Sequence, residues 1–360
     1  MPKLLKDLYD VKYINLLSSV IHTQYPLFDQ KLFVSSIFNK EWKDKELKER
    51  MHHIADTLYA YLPNDYATSI SILKNTFSKI NYDFNLQNMI FQDFVERYGL
   101  DYFEISMDAL EHFTTNSSSE FAIRKFILKH PNQTMQVMQK WAHSNNFHVR
   151  RLASEGCRPR LPWAIALQEF KSNPTEVLKI IDILKDDVHP YVQKSVANNI
   201  NDISKDNPDI VKELASKWIE NNKNTYAILK HGCRSLLKQS DRKILDIFGY
   251  SQIKNLKIVD FSLDKHVFLG ESLHFSFSLE SFENLGKLRV EFALYFLRKN
   301  NTLHKKVFML SQGEYKDNNK SFKKHYSFKN ITTRKYYKGK HKLQIIVNGN
   351  TIIEDYFILS

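Results

Sequence analysis

The period of the apolar residues changes once along the chain, near residue 252, and that change limits what the chain can fold into. Before it, apolar side chains recur every three or four positions, as in Leu47, Met51, Ile54, Ala55 and Leu58, or Val177, Ile180, Ile181 and Leu184. Such spacing puts them on one face of a helix. After it they alternate, as in Leu273-His274-Phe275-Ser276-Phe277-Ser278-Leu279, Leu288-Arg289-Val290-Glu291-Phe292 and Leu343-Gln344-Ile345-Ile346-Val347, the period of a half-buried strand. A chain of 360 residues exceeds what one hydrophobic core usually organises. We therefore expect a helical domain over residues 1–250 and an all-β domain over residues 251–360. Asn207 before Pro208, and Ser172-Asn173-Pro174-Thr175-Glu176, read as helix starts with proline in the first turn. About seven short strands, with Lys316-Asp317-Asn318-Asn319 as a turn and Asn348-Gly349 as a tight hairpin, predict a β-sandwich of immunoglobulin type without the Cys-Trp-Cys signature.

Within the helical part three segments share an outline of aromatic, apolar, basic, then small residues. They are Phe147-His148-Val149-Arg150-Arg151-Leu152-Ala153, Pro190-Tyr191-Val192-Gln193-Lys194-Ser195-Val196-Ala197 and Tyr226-Ala227-Ile228-Leu229-Lys230-His231-Gly232. Their spacing lies near the period of HEAT-type helical hairpins, so the expected architecture is a stack of helix pairs whose second helices line a concave surface. Arg150, Arg151, Lys194, Lys230 and Arg234 are the basic residues expected on that surface.

Lys and Arg exceed Asp and Glu by 52 to 40, which favours a polyanionic partner. Residues 251–360 hold 19 Lys or Arg against 10 Asp or Glu, a net of +9 that leaves +3 for residues 1–250. Two readings fit this excess: lysines guarding sheet edges against aggregation, or a second grip on a polyanion. Cys157 and Cys233 stand far apart and outside any C-x-x-C pair, so neither a disulfide framework nor a zinc site is expected, and a reducing cytoplasm fits. The first residues reach Asp7 and Asp10 before any long apolar run, so neither secretion nor a membrane span is expected. With 9 glycines and no phosphate-cradling loop, no nucleotide cofactor is expected. The 14 histidines are scattered, and His52-His53 reads as a partly exposed pair rather than a metal site.

The chemistry concentrates between Val149 and Trp163, where Arg150, Arg151, Arg158 and Arg160 flank Glu155. Glu155 precedes Gly156, read as the residue just past a helix, and Asp202 ends another helical run, so both carboxylates sit at the negative end of a helix dipole. An exposed anion there costs roughly 0.3–1 kcal/mol. Either each carboxylate pairs with a neighbouring cation, or the two await a cationic transition state. Trp163 after Pro162 reads as an indole at a helix start beside the arginines, to be weighed against an ordinary core tryptophan. Trp141 and Trp218 read as core. Ser117-Ser118-Ser119-Glu120 reads as a capping box that would account for Glu120 structurally.

Taken together with Arg50-Met51-His52-His53-Ile54-Ala55, Ser118-Ser119-Glu120-Phe121-Ala122-Ile123-Arg124, Arg158-Pro159-Arg160-Leu161-Pro162-Trp163 and the run from Ser195 to Asp206, these motifs are specific. The chain resembles the DNA alkylation repair glycosylases of the AlkC type, relatives of AlkD built on HEAT-like repeats. Tyr336-Tyr337-Lys338-Gly339-Lys340-His341 and Val347-Asn348-Gly349 look like the immunoglobulin-like domain of one branch of that family. Lys125 stands where the resemblance leads us to expect proline. The resemblance implies cleavage of the N-glycosidic bond of cationic bases such as 3-methyladenine and 3-methylcytosine in duplex DNA. Glu155 and Asp202 are carried over as the catalytic pair, Trp163 as the ring beside the damaged nucleotide and Glu120 as a supporting carboxylate. Arg150, Arg151, Arg158, Arg160, Lys194, Lys230, Arg234, Lys335, Lys338 and Lys340 are carried as DNA contacts. No cofactor or metal, a monomer, and attack on a lesion still near the base stack of a bent duplex are expected. The alternative is a non-catalytic HEAT-repeat protein that binds damaged or bent nucleic acid.

Overall fold

The computed structural model describes residues 4–80, 86–253, 255–331 and 334–360. Among them sixteen α-helices precede the strands. The first eight are α1 (Val11–Gln24), α2 (Gln30–Ile37), α3 (Leu47–Tyr61), α4 (Tyr66–Lys79), α5 (Met89–Tyr98), α6 (Phe103–Phe113), α7 (Ile123–Lys129) and α8 (Pro131–Trp141). The next eight are α9 (Phe147–Gly156), α10 (Gln168–Ser172), α11 (Thr175–Ile183), α12 (Pro190–Ile203), α13 (Pro208–Trp218), α14 (Lys223–Gly232), α15 (Arg234–Lys238) and α16 (Arg242–Ile247). None is long and apolar enough to cross a membrane. Aspartates set several of the starts: Asp10, Asp29, Asp65 and Asp241 each accept a backbone N–H from the first turn of their helix, as Asn146 does for α9. Pro131, Pro190 and Pro208 open α8, α12 and α13, where a missing N–H costs nothing.

The chain divides into two compact units, one of residues 1–207 and 222–232, the other of residues 208–221 and 233–360. In the first, helices stack in two rows. One row brings α3 beside α5 and α5 beside α7, then α9 beside α12 and α12 beside α14; the other runs α1, α4, α6 and, further on, α8 and α11. This is the HEAT-like arrangement, and its three neighbouring helices α9, α12 and α14 carry the three similar segments of the sequence. Close packing within the row needs glycine. A Cβ on Gly156 would lie 2.5 Å from Ile123 Cγ2, and one on Gly232 would lie 2.8 Å from Ile200 Cγ2. Gly156 is thus the last residue of α9 rather than a left-handed residue beyond it, and the reason for glycine is contact, not backbone sign. The sequence repeats Gly-Cys-Arg at 156–158 and 232–234, a stronger signal than the aromatic outline.

In the second unit eight strands form two sheets. Strands β1 (Lys257–Leu263), β3 (Ser272–Glu280) and β6 (Asn319–Ser327) make one, in the order β1-β3-β6. The other runs β2-β8-β7-β4-β5 through β2 (His266–Val267), β4 (Gly286–Leu297), β5 (Leu303–Tyr315), β7 (Gly339–Val347) and β8 (Asn350–Leu359). Alternation gives each sheet an inward face: Leu273, Phe275, Phe277 and Leu279 of β3 join Leu288, Val290, Phe292 and Leu294 of β4 and Leu343, Ile345 and Val347 of β7 in one core. Asn348 and Gly349, at φ 45° and 83°, close the β7–β8 hairpin as their identities predict. The turn at residues 316–318 instead carries the chain from one sheet to the other, because β5 and β6 belong to different sheets.

Candidate active site

α9 lies against α12, and Asn199 Nδ2 donates to Ser154 O at 2.9 Å across the seam. Glu155 stands in the last turn of α9 and Asp202 in the last turn of α12. Arg158, just past α9, is buried between them. Its Nη1 donates to Glu155 Oε1 at 2.6 Å, while Nε donates to Asp202 Oδ2 at 2.8 Å and Nη2 lies 2.8 Å from the same oxygen. Ser195 Oγ donates to Glu155 Oε2 at 2.6 Å, and Lys205 Nζ donates to Asp202 Oδ1 at 2.9 Å. Arg151 extends the chain of charges: its Nη2 lies 3.6 Å from Glu155 Oε1, its Nη1 meets Glu120 Oε2, and its guanidinium covers the ring of Tyr191 at 4.7 Å. Three carboxylates and three cations thus alternate as Glu120, Arg151, Glu155, Arg158, Asp202 and Lys205.

The cost of two anions at helix C-termini is offset by these cations, and the side chains are left with one geometry each. Such fixed, desolvated charges are what a site needs to stabilise charge that appears during a reaction. Cys157 beside them is no nucleophile, since burial pushes its thiol up to about 12 and keeps it protonated. Among the described residues no group of three His, Cys, Asp or Glu side chains comes together to hold a metal.

Two local expectations are corrected. The Ser117–Glu120 capping box does not form: α7 starts at Ile123, and the Glu120 carboxylate turns instead to Ser118 Oγ, at 2.7 Å, and to Arg151. A guanidinium is a stronger partner for a carboxylate than a backbone N–H is. Pro162 opens no helix, for residues 157–167 form a loop before α10. Trp163 sits in that loop at φ 63°, a strained position for a bulky residue, and is 70 % exposed. The loop is pulled into this shape by two cations from elsewhere. Lys48 Nζ donates to Trp163 O, and the fully buried Arg124 donates to Ile165 O through Nε at 2.8 Å and Nη2 at 2.5 Å, and through Nη1 to Gly156 O at 2.9 Å and Arg158 O at 2.8 Å.

Arg150, Arg151, Arg158 and Arg160, expected as DNA contacts, are each engaged by an acid. Arg150 pairs with the buried Asp187 at 2.5 Å, and Arg151 and Arg158 are engaged within the carboxylate cluster. Arg160 is partly exposed but pairs with Asp206 at 2.6 Å. These side chains tie loops and helices together because each has an acid within reach one repeat away. Lys194 is exposed and borders a shallow groove with Gln193, Ala197, Ala227 and Ile228. Lys230 is half-buried with its ammonium 5.6 Å from the Tyr226 ring, and Arg234 falls in the second unit. In the second unit Lys335, Lys338 and Lys340 are exposed, Lys340 with its Nζ 4.0 Å from the Tyr356 ring. A groove of about 370 Å³ on the β3–β6 face adds Lys323, Lys324, His274 and His325, which no motif in the sequence singles out.

Also unforeseen was a cavity of about 300 Å³ under Trp163, lined by Lys48, Met51, His52, Glu96, Phe121, Lys125, Ala164 and Ile165. His52 there is bonded to Asp93 at 2.8 Å, which raises its pKa, and His53 bonds the carbonyls of Ser36 and Ile37. Burial, and then the charge of Asp93, push Glu96 up to about 7. A carboxyl so raised holds its proton more tightly in the folded chain than in the unfolded one. Its burden on stability therefore grows as pH rises from the ordinary carboxylate range through about 7. Glu96→Gln is expected to raise the melting temperature relative to wild type more at pH 8 than at pH 5; an equal change at both would contradict this environment.

The profile of the DNA alkylation repair enzyme family matches residues 34–236, and that of the C-terminal Ig-like domain of the uncharacterised protein YhaZ matches residues 257–360. The chain is 40% identical over 347 residues to the uncharacterized protein YhaZ of Bacillus subtilis (strain 168), 96% of each chain being covered. It superposes with a TM-score of 0.93 and 34% identity on Pseudomonas fluorescens alkylpurine DNA glycosylase AlkC bound to DNA containing an abasic site analog, covering 99% of this chain and 100% of that one. With a helical repeat unit, an immunoglobulin-like unit and both matches spanning nearly the whole chain, the protein belongs to the AlkC-type DNA alkylation repair enzyme family.

Proposed function

We propose that the protein is a DNA glycosylase that hydrolyses the N-glycosidic bond of cationic N-alkylated bases, 3-methyladenine and 3-methylcytosine among them, in duplex DNA. The observation that carries this reading is the clamp of Glu155 and Asp202 on the single buried guanidinium of Arg158, in a chain aligned end to end with an alkylpurine DNA glycosylase. An alkylated base is positively charged, so it departs as a neutral molecule when the C1′–N bond breaks with its electron pair. The sugar is left with oxocarbenium character. Glu155 and Asp202 face that charge as fixed anions. Water then forms the new C1′–O bond and gives its proton to one of the carboxylates. Glu120 supports the pair through Arg151, and Trp163 lies against the damaged nucleotide.

The same cluster would serve a non-catalytic binder as a structural brace, and the two readings separate on chemistry. Purified full-length protein mixed with alkylated duplex DNA is expected to liberate free methylated base, detected by chromatography; binding without release would leave the brace reading standing. The basic sandwich surface is assigned a second grip on the backbone. Replacing Lys335, Lys338 and Lys340 together by alanine is expected to flatten the dependence of log K on log salt by roughly 0.9 for each DNA phosphate that is no longer neutralised. An unchanged slope would remove the sandwich from the interface.

A further inference from the structure

The cavity bordered by Trp163 lies outside the carboxylate cluster, and apolar and ring side chains make up much of its lining. Met51, Phe121, Ala164 and Ile165 supply apolar and ring walls, Lys48 and Lys125 supply two cations, and Glu96 and His52 supply groups that can donate or accept. His52 is already engaged by Asp93, and the Lys48 ammonium lies 5.1 Å from the centre of the Phe121 ring while also donating to Trp163 O. The apolar and ring walls favour a flat molecule, and the polar groups set between them favour one that offers both hydrogen-bond donors and acceptors. A volume of about 300 Å³ suits a small heterocycle. The position matters as much as the lining. Phe121 adjoins Glu120, and the exposed Trp163 indole borders this cavity and, on another side, a groove with Leu4, Leu5 and Leu47.

We infer that this cavity is a subsite for the excised base, holding the neutral methylated purine after the glycosidic bond has broken. The inference rests on the glycosylase reading. The exocyclic amine and ring nitrogens of such a purine call for an acceptor and a donor in the lining, and Glu96 can fill either role because burial and Asp93 hold its carboxyl near neutrality, against the opposing pull of Lys125, His52 and Lys48. A site that takes the base only after the bond has broken asks for no extrusion of the nucleotide before cleavage.

The test uses the protein's own fluorophores. Of the four tryptophans Trp42, Trp141 and Trp218 are 8 %, 4 % and 5 % exposed, so a ligand in the cavity reports through Trp163. Titrating the full-length protein with free 3-methyladenine is expected to quench fluorescence saturably, and Trp163→Phe to abolish the signal. Affinity is expected to fall roughly tenfold in Glu96→Gln and again in Phe121→Ala, the scale of one hydrogen bond or one ring stacking interaction. Lys125→Met provides a further wall variant should Phe121→Ala fail to fold. Base release from alkylated DNA is measured on the same preparation. Release without any saturable, Trp163-dependent quenching overturns the subsite while the glycosylase reading stands. Quenching without release overturns the glycosylase reading, and with it the excised-base role that rests on that reading.

Discussion

Glu155→Gln is expected to slow single-turnover base release by about 10²–10³-fold, the usual scale for removing one preorganised electrostatic partner, while affinity for an abasic-site duplex changes far less. The substitution is nearly isosteric, so the amide oxygen can still accept from Arg158 or Ser195, and what disappears is the charge. Asp202→Asn is expected to act alike. Because both carboxylates share the Arg158 guanidinium, the double variant should lose little more than the worse single one. Stability must be read beside rate, since unpairing a buried guanidinium costs about 3–5 kcal/mol. A brace would lose folding free energy and duplex affinity together. A catalytic pair loses rate in protein that is still folded and still bound.

Arg124→Ala is expected to destabilise the helical unit by about 3–5 kcal/mol, measured by denaturant unfolding. The fully buried guanidinium satisfies three backbone carbonyls, those of Gly156, Arg158 and Ile165, and so joins the end of α9 to the far side of the loop that carries Arg158 and Trp163. Without it those carbonyls are left unpaired in a dry interior, and the strained turn at Trp163 loses one of its two anchors. Arg124→Lys should recover little, because a single ammonium cannot span carbonyls fixed for a planar fork. The loop of residues 157–167 is also expected to become the first site of proteolytic nicking in Arg124→Ala. A cost below about 1 kcal/mol would mean that the loop is held by other interactions.

The architecture was legible because it is written in short-range patterns. The change of period near residue 252, the proline that opens α13, and the Asn348-Gly349 hairpin each depend on neighbours in sequence. Where local patterns misled, a distant residue overrode a local preference. Glu120 leaves its capping box for Arg151, thirty-one positions on, and Pro162 yields to a loop drawn by Lys48 and Arg124. The acids that engage the arginines were not visible as partners because they lie one repeat away, Asp187 for Arg150 and Asp202 for Arg158. The same holds for the cavity under Trp163, whose walls come from α3, α5, the turn before α7, α7 itself and the loop of residues 157–167. The Gly156-Cys157-Arg158 and Gly232-Cys233-Arg234 repeat, by contrast, was open to view, and marks where helices of the row touch.

The central claim is that the Arg158-clamped carboxylates cleave a glycosidic bond. It is tested most directly on a defined duplex carrying one alkylated base, bound by saturating wild-type protein or by the Glu155→Gln/Asp202→Asn double variant, then treated with alkali. The account predicts strand cleavage at that position with wild type and almost none with the double variant at equal occupancy. Equal cleavage by both, or none by either, would contradict it.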